Sequence, residues 1–140
     1  MTKIQETLQA VMEGKLPLPP VAQLVGFRLT SFSEGSVTLE MQAGKKHWNQ
    51  LGTVHGGILC DIADAAMGTA FFTTLCDGES YTTVALSIEF LNPVIEGKIV
   101  AKAFVVRRGK HLGYTECELR DAQGEFIAKA NSTCVVIRHS

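Results

Sequence analysis

The sequence predicts an α+β domain in which an antiparallel β-sheet wraps around one long central helix, and three observations predict it. Residues 56–75 read as a helix that is apolar almost all the way round, the mark of a buried rod. Two strand-like stretches precede it and four follow it. No further long helix alternates with the strands, so parallel βαβ crossovers are absent and the strands must pair antiparallel.

Taken in order, Ile4, Leu8, Val11 and Met12 fall at helical spacing and Gly14 follows as a stop, so the spacing predicts a short amphipathic helix over residues 3–13. Residues 16–20 hold three prolines and read as a connector. A second helical turn is expected over residues 21–24, ended by Gly26. Residues 27–32 read as a strand, and Ser33-Glu34-Gly35 as a turn into residues 37–43, where apolar and polar side chains alternate. The periodicity then vanishes over residues 44–54, a loop carrying Lys45, Lys46, His47, Trp48 and Asn49. After the long helix come strands over residues 81–91, 98–107, 112–120 and 125–137, expected to form a four-stranded meander.

The chain has 140 residues, of which 46% are hydrophobic, enough for a single domain over 1–140 with its own core, residues 1–20 forming the N-terminal helix and connector. Its 13 basic and 14 acidic residues nearly cancel without forming blocks, which excludes the footprint of a nucleic-acid binder. Nothing reads as a secretory leader, and no apolar run is long enough to span a bilayer. The four cysteines (Cys60, Cys76, Cys117, Cys134) show no C-x-x-C spacing, so neither a zinc site nor a disulfide framework is expected. A cytoplasmic protein is the expectation.

The long helix holds the chemistry. It opens with His55-Gly56-Gly57, where first-turn amides lack intrahelical partners and carry the positive end of the helix dipole, suited to a carbonyl oxygen gaining charge. Close packing of the helix start explains the two glycines equally well. Asp64 stands between Ala63 and Ala65, mid-helix, where an unpaired carboxylate is expensive. No lysine or arginine occurs between Val54 and Val94, so no local ion pair relieves it. Asp61, one turn earlier, fits a solvated edge. Gly57 and Asp64 share a face but lie about 10 Å apart along the axis. One carbonyl reaches both only if two copies of the helix pack antiparallel across a two-fold axis, which makes the site shared and covers the side the sheet leaves bare.

Two stretches, "NQLGTVHGGILCDIAD" and "YTTVALSIEFLNPV", resemble the hotdog-fold acyl-CoA thioesterases of the phenylacetate-pathway type, within the broader 4-hydroxybenzoyl-CoA thioesterase group. The shared pattern is an Asn six before the His, the His-Gly-Gly itself, and an acid nine after the His. The resemblance spans residues 20–137. It implies a hotdog fold, a homodimer as minimal unit with dimers pairing into a homotetramer, and hydrolysis of an aromatic or medium-chain acyl-CoA, coenzyme A being part of the substrate and no further cofactor or metal being needed. Asp64 would be general base or nucleophile, and the Gly57 amide would polarise the thioester carbonyl. Asn49 and His55 would orient thioester or water, and Thr83, ten before Pro93, would help hold that water, with Thr82 as an adjacent candidate.

Each position also has a plainer use: Asn49 as a loop cap, His55 as a histidine bonded to backbone, Thr83 as an ordinary strand residue. The basic run Arg107, Arg108 and Lys110 suits the phosphates of coenzyme A or a solvated hairpin tip, and Lys45 and Lys46 could serve likewise. Met67, Phe71 and Phe72 are candidates to line an acyl pocket. Other readings stand beside hydrolysis: a non-catalytic acyl-CoA binder, an enoyl-CoA hydratase or dehydratase on the same fold, and a metal site from His47, His55, Asp61 and Asp64, which lacks standard ligand spacing.

Overall fold

The computed structural model describes residues 1–139. Thr2 caps helix α1 (Lys3–Met12) by accepting from the Gln5 amide at 3.1 Å, while the Gln5 side chain reaches the Thr2 amide. That same side chain donates to the Thr73 carbonyl at 3.2 Å, pinning α1 to the far end of the long helix. The prolines set the fixed φ that starts α2 (Pro20–Val25), and Gly26, at φ 100°, ends it in the left-handed conformation that glycine tolerates.

Strands β1 (Phe27–Ser33) and β2 (Ser36–Ala43) form the expected hairpin, and α3 (Gly56–Phe72) is the central helix. It ends three residues earlier than its apolar pattern suggests. Thr73 turns its hydroxyl back onto the Ala70 carbonyl at 2.6 Å and accepts from the Gly35 amide at 2.7 Å, fixing the helix end to the β1–β2 turn.

The last four strands are β3 (Glu79–Phe90), β4 (Gly97–Arg108), β5 (Leu112–Asp121) and β6 (Phe126–Arg138). They are not a simple meander. All pairs are antiparallel and the order is β1-β2-β4-β5-β6-β3, so β3 crosses to the far edge beside β6 while β4 returns to β2. The expected four-stranded run holds for β4, β5 and β6 alone. Pairing β4 with β2 wraps the sheet round α3, giving the hotdog fold.

Alternation places one face of each strand against the helix. Leu39 and Met41 of β2, Ala101 and Ala103 of β4, Cys117 and Leu119 of β5, and Ala128 and Ala130 of β6 are all buried. Facing them on α3 are Ile62, Ala63, Ala66, Met67, Ala70 and Phe71, none of which reaches solvent. Small side chains meet small side chains along the middle, which lets helix and sheet approach closely. Met67 and Phe71, candidates for an acyl pocket, are therefore core residues instead; Phe72 alone of the three stays partly open.

The opposite side of α3 exposes Gly57, Asp61 and Asp64, and half exposes Ala65, Thr69 and Phe72. A second copy is not its only possible cover, because the chain's own α1 and proline connector already roof part of it. No helix among the described residues is long and apolar enough to cross a membrane.

Gly113 shows how tightly the sheet closes on the helix. A Cβ there would fall 2.0 Å from Cε1 of Phe71, a ring held by a tilted contact with Tyr81, at 5.8 Å between centroids. Gly113→Ala is therefore expected to lower unfolding free energy by about 2–3 kcal/mol through overpacking, as measured by denaturant titration; an unchanged midpoint would mean the Phe71 ring has room to move.

Candidate active site

Helix α3 and the edge strand β3 bring the decisive pair together. Asp64 projects from the exposed side of the helix into an open cleft of about 360 Å³ shared with Cys60, Asp61, Thr83, Val84, Ala85 and Leu86. Thr83 faces the cleft because of a β-bulge. Register slips between Thr83 and Ala85, leaving Val84 unpaired against β6 and 59% exposed. An extra residue lets both Tyr81 and Thr83 before it, and Leu86 and Ile88 after it, lean toward the helix side, which strict alternation forbids.

Asp64 is exposed in the single chain, so the expectation of a deeply buried carboxylate is corrected. Its carboxyl is nonetheless held above the ordinary carboxylate value: desolvation by the surrounding protein is the largest cause, and the Asp61 charge adds to it. The Thr83 hydroxyl across the cleft favours the charged form and pulls the other way, while its hydrogen-bond partner within the chain is Cys134 Sγ at 3.6 Å. No cation contributes: this stretch of sequence holds no lysine or arginine, and none from elsewhere in the fold is among the causes of the shift. Asp61, three residues before Asp64, is exposed as a solvated edge residue should be, and Cys60, four before it and read from the sequence only as a cysteine without a partner, joins it in the cleft, where helical spacing puts both beside Asp64.

The other candidates gather at the helix N-terminus. His55 is the N-cap, and its Nδ1 accepts from the Gly57 amide at 2.8 Å. The amide expected to face a substrate carbonyl is thus already engaged, by the imidazole two residues before it. A Cβ on Gly57 would come within 2.9 Å of that Nδ1, and one on Gly56 would come within 3.0 Å of the Phe90 ring. Both glycines therefore serve close approach.

Asn49 organises the loop that delivers the chain to this cap. Its Oδ1 accepts from the Leu51 amide at 2.9 Å and the Thr53 amide at 3.3 Å, and its Nδ2 donates to the Thr53 hydroxyl at 3.1 Å. The loop is closed further by a Trp48–Val54 bridge and by the Trp48 indole donating to the Ile95 carbonyl at 2.8 Å. His47, the other histidine nearby, is buried with both ring nitrogens bonded to backbone, to the Gly44 amide at 3.1 Å and the Val25 carbonyl at 2.8 Å. It has no nitrogen free for a metal.

The basic run divides in two. A bulge between Val105 and Arg107 turns Arg108 inward, where its guanidinium donates to Thr74 Oγ1 at 3.1 Å, pairs with Glu79 at 3.1 Å and lies 5.2 Å from the Phe71 ring centre. Arg138 holds the other Glu79 oxygen at 3.2 Å. Arg108 is consequently a clamp on the C-terminal end of α3, whereas Arg107 and Lys110 are exposed. Within one chain this cluster lies at the end of the helix away from His-Gly-Gly, about 20 Å from Gly57 by helical rise. Lys45 and Lys46 begin a short 3₁₀ turn (Lys45–His47) on the His-Gly-Gly side.

Known proteins are similar to this chain over nearly its whole length. A family described as the thioesterase superfamily matches residues 51–128. Acyl-coenzyme A thioesterase 13 of Homo sapiens is 29% identical over 136 residues, covering 95% of this chain and 96% of the relative. Among solved structures, a phenylacetic acid degradation-related protein from Ralstonia eutropha JMP134 superposes with a TM-score of 0.83 at 29% identity, over 91% of this chain and 98% of that one. The PaaI protein of E. coli, from the phenylacetic acid degradation operon, superposes with a TM-score of 0.83 at 25% identity, over 99% of this chain and 94% of that one.

The electrostatics of the cleft can be checked by carbon-detected NMR titration. Asp64 is expected to titrate above 3.8, its ordinary value. Asp61→Asn should bring the midpoint down by removing a like charge, and Thr83→Val should push it up by removing a hydroxyl that favours the ionised form. Since the folded-state value is raised, this group's contribution to stability is full below the unfolded carboxylate value and lost as pH rises through the folded one. Asp64→Asn is accordingly expected to keep or raise the melting temperature at neutral pH, and a clear drop would contradict the strained carboxylate.

Proposed function

The chain belongs to the thioesterase superfamily and hydrolyses thioesters, and from that premise we propose that its substrate is an aromatic or medium-chain acyl-CoA, cleaved at a site shared by two copies of helix α3. The observation that carries this reading is Asp64: a carboxylate on the open side of the helix, raised in pKa, with a hydroxyl beside it and no cation near. The curated and structural relatives support the substrate class through their names, acyl-coenzyme A thioesterase and phenylacetic acid degradation protein.

In the proposed reaction Asp64 takes a proton from water as the water oxygen bonds to the thioester carbon, Thr83 holding that water. The carbonyl oxygen, gaining negative charge, takes the Gly57 N–H from His55. That exchange favours the transition state over the ground state, because an oxyanion is a better acceptor than the imidazole it displaces. Collapse then breaks the carbon–sulfur bond, the acid departs, and the thiolate of coenzyme A recovers the proton. Direct attack by Asp64, giving a mixed anhydride that water opens, balances equally well. Neither route needs a cofactor beyond water.

Two features support a shared site. Gly57 and Asp64 are about 10 Å apart within one helix, too far for one carbonyl, and antiparallel helices from two chains would close that gap. Strand β3 is also an edge of twelve residues, with one side of its backbone unpaired within the sheet. Asn49 acts through the loop it closes and His55 through the amide it holds, both as positioning residues. Arg107, Lys110, Lys45 and Lys46 remain the candidates for the coenzyme A phosphates, and Arg108, clamped to Glu79, supports the helix end.

Thiol release from a panel of acyl-CoAs tests the reading. Hydrolysis should fall about 10²–10⁴-fold in Asp64→Ala, the range of a lost general base, and its kcat/KM should decline in acid with a midpoint above 3.8. Tight binding without turnover would favour the non-catalytic binder, and hydration of enoyl-CoA without thiol release the hydratase. Sharing is tested by mixing Asp64→Asn chains with Gly57→Pro chains, which lack the amide that would receive the oxyanion, after denaturation and refolding. A heterodimer then rebuilds one complete site of two, so roughly a quarter of wild-type activity should return from two inactive parents. No recovery from a mixture shown to contain heterodimers would place the whole site in one chain.

A further inference from the structure

Beside the Asp64 cleft lies a second space that catalysis does not use. A cavity of about 500 Å³ sits between the open side of α3 and the N-terminal segment, and its walls are almost wholly apolar. Its floor is Ala65, Thr69 and Phe72, one stripe of the central helix. Its roof is Leu8 and Val11 of α1 with Leu16 and the prolines of the connector, and strands β1 and β2 close the side. The volume falls within the range of roughly 300–1,000 Å³ typical of small-molecule pockets. Protein interiors hold few voids of this size, since apolar walls without partners forfeit their dispersion contacts.

Three facts say what fits. The floor begins at Ala65, next to Asp64, and advances along the helix through Thr69 to Phe72, about 10 Å further on. The cavity and the cleft share no lining residue and flank the ridge formed by Asp64 and Ala65, so a group attached to a carbonyl at Asp64 has one residue of helix to cross before it lies beneath α1. The hydroxyls on the walls are also occupied: Thr69 Oγ1 donates to the Ala65 carbonyl at 2.7 Å, and Thr7 Oγ1 to the Lys3 carbonyl at 2.9 Å. The remaining polar wall residue, Arg28, is exposed. Thr7 and Thr69 keep only acceptor lone pairs, Arg28 is the one charged residue of the lining, and the other walls are apolar, so most of the cavity leaves a polar group on the occupant unsatisfied, which is costly. Finally, the roof is the chain's own, tied down by the bond from Gln5 to Thr73 at 3.2 Å.

We propose that this cavity is the acyl-tail subsite, that it takes a straight alkyl chain in preference to a hydroxylated ring, and that α1 with the proline connector sets the chain length accepted. The inference rests on the reading of Asp64 as the reacting carboxylate and deepens it by naming the substrate class and the segment that selects it. Helix α1 is thus a specificity element as well as a cover.

The test is the dependence of kcat/KM on chain length, by thiol release from straight-chain acyl-CoAs between acetyl and lauroyl, with 4-hydroxybenzoyl-CoA for comparison. Each methylene moved from water into the cavity should raise kcat/KM roughly fourfold, until the cavity is full and the rise stops. Val11→Phe, which narrows the roof, should move that break to shorter chains and cut the decanoyl-to-acetyl ratio about tenfold. Leu16→Ala, at a position 44% exposed and so tolerant of truncation, should move the break to longer chains and decides the matter if Val11→Phe does not fold. A flat profile, variants that scale every chain length alike, or 4-hydroxybenzoyl-CoA surpassing decanoyl-CoA would overturn the proposal. Calorimetric binding of S-decyl-coenzyme A separates the two readings. If no thioester is cleaved in an Asp64-dependent way, the catalytic reading fails; weaker binding to Val11→Phe still supports the cavity, and unchanged binding overturns it.

Discussion

The close contact between one face of α3 and the inner face of the sheet is the constraint on which the other features depend. Alanines at 63, 66 and 70 face alanines at 101, 103, 128 and 130, all buried, so helix and strands meet with little side chain between them. Such an interface fixes the rotation of the helix, because turning it would drive Asp61 or Asp64 into apolar packing at several kcal/mol each. Fixing that rotation is what aims the carboxylate outward. The same rotation leaves the stripe Ala65, Thr69 and Phe72 half open, and α1 comes down on part of it.

Departures from regularity in the sheet do the finer aiming. Two bulges, at Val84 in β3 and at Val106 in β4, each insert one residue and reverse which side chains face the helix beyond them. One brings Thr83 to Asp64. The other brings Arg108 to Thr74, Glu79 and Phe71, locking the C-terminal end of α3 against the strand ends. With Thr73 joined to the β1–β2 turn and Gln5 joined to Thr73, the helix end is held from three sides. Its N-terminal end is held by the Asn49 loop and the His55 cap. A rod secured at both ends keeps Asp64 at a constant depth in the cleft.

That acid illustrates a tension between stability and chemistry. Desolvation and the charge of Asp61 both oppose its ionisation, and only the Thr83 hydroxyl relieves it. An arginine nearby would stabilise the folded chain but would also lower the basicity of the carboxylate. The site tolerates the strain, and a core of small, closely packed residues supplies the stability that permits it.

Much of this was legible in the residues themselves. The apolar period of residues 56–75, the alternation in the strands and the turn residues between them determined an α+β sheet-and-helix architecture, because local periodicity reports which face each element buries. Asp64 was legible for a related reason: a carboxylate amid alanines with no lysine or arginine from Val54 to Val94 is an anomaly in any fold. Tertiary structure alone decided the rest. Strand β3 moved to the outer edge because pairing depends on how the sheet closes round the helix, which no local pattern encodes. Bulges turned Arg108 inward and Thr83 toward the acid against simple alternation, and close packing drew Met67 and Phe71 into the core. The cavity beneath α1 belongs to the same class, for it is bounded by residues far apart in the chain whose separation is set by the packing of every element between them.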